Sequence, residues 1–141
     1  MRVLILGATS KLGEVVARHL HARGHEVIGA SRDRATAFAR APHYGWVHAD
    51  LGRDEPALHW RARLHAIDAI VNVALPGRET PANLFESTRA LGPERLYTLA
   101  ASLGISRIVH VTDEAWRGIE TASRLAAARY AERALARLDL D

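Results

Sequence analysis

Cysteine is absent from this 141-residue chain, and lysine occurs once, as Lys11. Without cysteine there is no disulfide, no thiolate zinc site and no cysteine nucleophile, a pattern that fits a cytoplasmic setting. No apolar run approaches the roughly 20 residues of a membrane span, so no membrane partner is expected. The first apolar stretch, Val3 to Leu6, is a short run stopped by Gly7, which is not the pattern of a signal peptide. The net charge is +3, but the arginines that supply it are spread along the chain and interleaved with acids. No basic stripe with interleaved aromatics occurs, so no nucleic-acid partner is expected. The eight histidines are dispersed, and no His/Asp/Glu set has metal-ligand spacing. His21 and His25 stand four apart, with Gly24 between them at a helix end, and read as surface residues. No Ser-His-Asp arrangement is visible. Trp46, Trp60 and Trp116 read as core or partner contacts rather than cofactor stackers.

What is present is an ordinary globular composition, 48% apolar and 25% charged, with enough chain for one domain over residues 1–141. Short apolar runs predict strands at Val3–Leu6, Glu26–Ala30, Trp46–His48, Ala69–Val73 and Arg107–Val111. Helical spacing over Lys11–Arg23 puts Leu12, Val15, Val16, His19 and Leu20 on one face, with Gly24 as the stop. Asp33 is a candidate N-cap for an Ala-rich helix to Arg40, which Pro42 ends. Pro56–His65 reads as helical. Pro76-Gly77 opens a loop, and Pro81 fits the first turn of a helix that Gly92-Pro93 interrupts and that resumes from Glu94 to Leu103. A long helix, Ile119–Leu138, closes the chain. This alternation predicts an α/β fold of three layers, α/β/α, around a parallel sheet buried on both faces. Right-handed crossovers and a turn of nucleotide-binding type after the first strand favour the strand order 3-2-1-4-5.

That turn, Gly7-Ala8-Thr9-Ser10-Lys11-Leu12-Gly13, carries the chemistry. A strand, a small-residue turn and a helix N-terminus aim free backbone N–H groups and a positive dipole end at one point, which suits a pyrophosphate. Gly-x-x-Gly-x-x-Gly would put glycine where Ser10 stands, and Gly-x-x-x-Gly-x-Gly would put it where Lys11 stands. The middle glycine is missing in either pattern, and the Ser10 hydroxyl can donate to a phosphate oxygen instead. A tight β-to-α turn without a ligand is the alternative. An acid at the end of the second strand would bind the ribose 2′-hydroxyl of NAD, and a base the 2′-phosphate of NADP. Here Ser31 and Arg32 follow Gly29-Ala30, and Asp33 reads as a helix cap. With Arg32 at the rim and Lys11 in the loop, NADP(H) is favoured and NAD(H) remains possible.

The loop Gly7–Gly13, then Ser31-Arg32-Asp33, Asp50-Leu51, Val71-Asn72-Val73-Ala74, and Gly92-Pro93 to Leu103 followed by Gly104 to Thr112, stand in a familiar order. Together they resemble the extended and atypical short-chain dehydrogenase/reductases, the group that holds NAD-dependent epimerases and dehydratases, NmrA-like regulators and the nucleotide-binding subunit of respiratory complex I. The resemblance implies a Rossmann fold. It also implies a dinucleotide held by Gly7, Thr9, Ser10, Lys11, Leu12 and Gly13 in the loop, with Arg32 marking an NADP-type strand end. Asp50 and Leu51 would lie at the adenine, and Val73 and Ala74 beside the cofactor ribose.

Members of that group that do chemistry use a Ser or Thr, a Tyr, and a Lys four residues after the Tyr. The Tyr moves the proton and the Lys lowers its pKa. Thr112 occupies the Ser/Thr place after the fifth strand. Tyr130 is followed four residues later by Ala134. Aligning Ala131-Glu132-Arg133-Ala134-Leu135 with the family's helix puts Arg124 at the Tyr position and Ala128 at the Lys position. Arg129 does not replace a lysine as a pKa-tuned partner. Leu138-Asp139-Leu140-Asp141 resembles the point where relatives enter a sixth strand, so the later strands and substrate region are expected to be missing. The first functional reading is therefore a dinucleotide-binding sensor or assembly module without the usual Tyr/Lys catalysis. The second is the nucleotide-binding half of an NADP-dependent oxidoreductase or epimerase/dehydratase whose substrate part is absent from this chain. The predicted sheet leaves strand five at an edge, with Ile108, Val109 and Val111 beside unpaired backbone groups. Leu125, Ala128, Leu135 and Leu138 form an apolar stripe nearby. A homodimer, or another protein partner on this side, is expected; packing of the last helix on its own domain is the alternative.

Overall fold

A computed structural model describes residues 1–75, 80–81, 84–112 and 122–138. Five strands, β1 (Arg2–Leu6), β2 (Glu26–Ser31), β3 (Gly45–His48), β4 (Ala69–Asn72) and β5 (Arg107–His110), form one sheet. Its order is β3-β2-β1-β4-β5, and all four pairings are parallel. The helices are α1 (Lys11–Ala22), α2 (Arg34–Arg40), α3 (Ala57–Leu64), α4 (Gly92–Ser102) and α5 (Ala122–Ala136). The fold is thus the expected three-layer Rossmann type. The expected loop at Pro76-Gly77, the start of the last helix at Ile119, Trp116, the segment 139–141 and the side chains of Leu125 and Ala128 lie outside the described residues. Among the described residues no helix is long and apolar enough to cross a membrane.

The apolar strands β1, β2 and β4 are largely buried on both faces and need no polar alternate, whereas β3 and β5 at the sheet edges are partly exposed. Leu4, Leu6, Ile28 and Ile70 meet Trp60, Leu64, Leu96, Tyr97 and Ala100 on one side. Val3, Ile5 and Val27 meet Ala17 of α1 on the other. The Asp33 side chain accepts the Thr36 N–H at 3.0 Å and caps α2, as its sequence position predicts. Leu135 and Leu138 pack against the domain's own core.

Three expectations are corrected. The first concerns α1, whose buried face runs through Gly13 and Ala17, with Val16 and Leu20 partly covered. Leu12 and Val15 are 44% and 51% exposed. An ideal Cβ on Gly13 would lie 2.1 Å from the Gly7 carbonyl oxygen, so the helix is turned to put its glycine, not its larger apolar side chains, against the β1 turn. The second correction is Pro81, which lies in a turn ahead of the helix it was expected to open. The third is Gly92-Pro93, which does not interrupt its helix. A π-helical turn, Glu86–Leu91, runs straight into α4. Proline lacks an N–H, and its ring collides with the carbonyl four residues back in a regular α-helix. The wider π turn accommodates it: the Gly92 N–H reaches back to the Ser87 carbonyl. Gly92 is also pressed on the Leu51 carbonyl, where a Cβ would stand at 2.2 Å.

Gly13→Ala tests the contact that seats α1. In an unconstrained helix this change gains about 1 kcal/mol. Here it overpacks a backbone contact and should lower stability by about 1–3 kcal/mol or more. Urea denaturation showing a stabilised variant would contradict the contact.

Candidate functional site

At the C-terminal ends of the strands lies a cleft of about 250 Å³. Eight of the sequence-designated residues line it: Gly7, Thr9, Ser10, Arg32, Asp50, Leu51, Val73 and Ala74. Four do not. Gly13 is buried beneath the loop, and Lys11 and Leu12 are exposed on α1. Thr112 sits half-buried just past β5 and is not part of the lining. Arg124 and Ala128 lie within α5. Leu75 and Thr88 also line the cleft, and sequence reasoning missed both. Thr88 enters from the π turn, its hydroxyl donating to the Leu84 carbonyl at 2.8 Å; a Gly-Pro pair following a helical stretch was the available signal for that turn.

The loop after β1 is built for close approach. Gly7 has φ +79°, and a Cβ there would lie 2.8 Å from Ala74 Cα, so only glycine lets the loop close onto the end of β4. The Ser10 N–H donates to the Gly7 carbonyl at 3.0 Å. Ser10 Oγ accepts the Gly13 N–H at 3.0 Å and caps α1. Its own hydroxyl proton is left to donate outward. The Lys11 and Leu12 N–H groups precede the first intrahelical bond and take no acceptor among the described residues. The side chains of these two residues are not part of the cleft lining, and their free N–H groups stand at the N-terminus of α1.

The end of β2 is equally defined. The Ser31 hydroxyl accepts the Asp33 N–H and donates to the Asp33 carbonyl. Both Asp33 carboxylate oxygens are taken by Thr36, one by its N–H and the other by its hydroxyl at 2.6 Å. These bonds hold the Asp33 carboxyl below its ordinary pKa. Arg32 is thus the charged side chain this strand end contributes to the cleft lining. Asp50 accepts the Gly52 N–H at 3.0 Å and pairs with Arg53 at 3.5 Å.

Behind the cleft runs a polar network the sequence did not disclose. Asn72 on β4 and Tyr97 on α4 are buried. Asn72 Nδ2 donates to the Tyr97 hydroxyl at 2.7 Å, and that hydroxyl lies 2.7 Å from His110 Nδ1 on β5. Asn72 Oδ1 accepts the Ala74 N–H at 2.9 Å. Asn72 therefore holds the cleft-lining β4 end in place, and Tyr97 and His110 hold Asn72. The chain of donors closes when Tyr97 donates to a neutral His110 Nδ1. A proton on that nitrogen would set two donors against each other. Burial accordingly lowers the His110 pKa, with Arg89 acting in the same direction and Glu132 against it. Burial also raises the Tyr97 pKa. Among the described residues no group of three or more His, Asp or Glu side chains is placed to hold a metal ion.

The sequence model of the NAD dependent epimerase/dehydratase family matches residues 3–127. A search of curated protein sequences finds no match. Among solved structures, a protein from Bacillus halodurans, described provisionally as an NAD-dependent epimerase/dehydratase, superposes with a TM-score of 0.82 at 26% identity, covering 100% of this chain and 67% of that one. An oxidoreductase from Lactococcus lactis gives 0.78 at 19% identity, covering 100% and 66%. The Bordetella bronchiseptica enzyme WbmH, solved in complex with NAD+, gives 0.73 at 18% identity, covering 99% and 53%. This chain therefore spans about two thirds of the length of the first two and about half of the third.

His110 makes stability depend on pH. Its folded-state pKa is depressed, so its contribution is fully present above the unfolded value near 6.5 and is lost as pH falls through the folded value. Lowering the pH from about 7 to about 5 should reduce the thermal midpoint of the native chain more than that of His110→Gln. Equal pH slopes for the two proteins would show that folding does not lower the His110 pKa.

Proposed function

The chain belongs to the NAD-dependent epimerase/dehydratase family, and from that premise we propose that its cleft binds a nicotinamide dinucleotide, NADP(H) in preference to NAD(H). We assign it the role of a binding module, a sensor or assembly unit, rather than a catalyst of the Tyr/Lys type. The observation that carries the cofactor preference is the state of Asp33. Its carboxylate is committed to Thr36 as a helix cap, so the acid that would take a ribose 2′-hydroxyl is engaged elsewhere. Arg32 stands at the same rim and offers a guanidinium to a 2′-phosphate.

The residues fit such a group. The Lys11 and Leu12 N–H donors and the Ser10 hydroxyl would take the pyrophosphate, Asp50 and Leu51 the adenine end, and Val73 and Ala74 the ribose side. A bound nicotinamide would supply a hydride donor or acceptor. What this chain's residues do is bind, orient and cover it. The module reading rests on the residues at the expected catalytic positions, where Arg124 and Ala128 stand in place of Tyr and Lys and Thr112 is left without those partners. A second reading is the nucleotide-binding half of an NADP-dependent oxidoreductase or epimerase/dehydratase whose substrate part is missing from this chain. A homodimer, or a protein partner over the β5 edge, belongs to either reading. There Val109 is 55% exposed on the outermost strand. A cytoplasmic location, inferred from the lack of cysteine, accompanies both.

Calorimetric titration at matched salt should give NADPH the higher affinity, and Arg32→Ala should weaken NADPH by about 1–3 kcal/mol while leaving NADH nearly unchanged. Equal affinities in the native chain would remove the preference. The purified chain should not oxidise NADPH in the presence of carbonyl substrates. Substrate-dependent oxidation that Gly13→Asp abolishes would refute the module reading and favour catalysis by another set of residues.

A further inference from the structure

A second cleft, about 460 Å³ in volume, lies between α1 and α2, and among the described residues only Thr9 lines both. Trp46 of β3 lines it, together with Ala37 of α2 and Ala41, which follows that helix. The Trp46 ring rests against the Gly29 backbone of β2, where a Cβ would stand 2.4 Å from the ring. Its indole N–H donates to the Ala41 carbonyl at 2.9 Å. The ring is therefore fixed in place and orientation, and beside it the cleft is lined by two small side chains, Ala37 and Ala41.

The walls are aromatic and basic. The His43 and Tyr44 rings lie 4.1 Å apart between centroids, and His21 of α1 packs on both at 5.5 Å and 5.4 Å. Arg40 is ion-paired with Glu14 between the two helices, so these two charges offset each other. Arg18 also lines the cleft. It is exposed and makes no hydrogen bond or ion pair to another described residue. The result is an aromatic-lined cleft with one uncompensated guanidinium at its edge.

We infer that this cleft is a binding site for a planar aromatic anion, its ring against Trp46 and its carboxylate or phosphate on Arg18. A fixed indole favours a flat ring through offset or edge contact. An arginine with no internal acceptor favours a carboxylate or phosphate, which it can bind through two parallel N–H groups. A cation is disfavoured by Arg18, and a neutral ring leaves the guanidinium without a partner. The dinucleotide is a poor occupant, because Gly7, Ser10, Arg32, Asp50 and Leu51, which would hold it, line the other cleft. The inference does not depend on which cofactor, if any, that cleft takes.

The test follows the indole N–H signals of the ¹⁵N-labelled full chain by NMR during titration with 2-naphthoate and with its neutral counterpart 2-naphthamide. Trp46→Phe assigns the Trp46 signal, and each titration is run with and without NADPH. The expected result is a saturable shift of the Trp46 signal by naphthoate, with the amide and Arg18→Gln each weaker by at least about fivefold. Ala41→Leu, which fills the space while keeping the carbonyl that holds the indole, should abolish the shift without altering the rest of the spectrum. Should Ala41→Leu fail to fold, Arg18→Gln, at an exposed position, still decides the question. Absence of a Trp46 shift, equal affinity for acid and amide, indifference to Arg18→Gln, or displacement by NADPH would each overturn the site.

Discussion

The seating of α1 on the turn after β1 is the contact on which the site depends. Gly13 lies so close to the Gly7 carbonyl that a single methyl group would not fit. That approach brings Ser10 to the position where its hydroxyl caps the helix. It also leaves the first N–H groups of α1 without an acceptor among the described residues. Gly7 makes the matching approach on the other side, against Ala74. Two missing side chains thus set the position of one helix, one loop and the end of β4. A shift of α1 by the width of a methyl would loosen all three together, because interiors are close-packed and do not absorb such a displacement locally.

The far wall is held by polar rather than steric means. Asn72 ties the Ala74 N–H to Tyr97 and His110, joining β4, α4 and β5 through one buried network. Such a network contributes only when all its members are satisfied, and burial lowers the His110 pKa in the direction the network needs. The π turn before α4 adds a third constraint. It lets Pro93 enter the helix and brings Gly92 against the Leu51 carbonyl, placing the Asp50-Leu51 turn at the mouth of the cleft. Backbone contact, buried hydrogen bonds and helix geometry each fix a different wall of the same opening.

The same packing explains the exposed apolar residues of α1. Leu12 and Val15 face outward because Gly13, not they, must meet the turn. On the opposite flank of the helix, Glu14, Arg18 and His21 look toward α2. There the small side chains of Ala37 and Ala41 line the cleft beside Trp46. The second cleft follows from this spacing, since helices separated by small residues on one side and held to the sheet by glycine cannot also interlock.

The sheet order, the parallel pairing, the loop after β1 and the cap at Asp33 were legible in the amino-acid sequence. Each rests on local rules: apolar run length, alternation of strand and helix, and the stereochemistry of Gly, Pro and capping residues. Eight of the residues singled out by motif do meet in one cleft. The face that α1 buries was not legible, because hydrophobic periodicity counts apolar residues and the decisive residue was the one without a side chain. The π turn at Gly92 and Pro93 was not legible either, since proline in a helical stretch reads as a break unless a wider turn is seen to absorb it. Nor could the sequence join Asn72, Tyr97 and His110, which lie 25 and 13 residues apart on three different elements. Local chemistry determined which elements form and in what order they pair. Only the tertiary structure decided which faces meet, because that depends on contacts between residues whose separation along the chain carries no periodic signal.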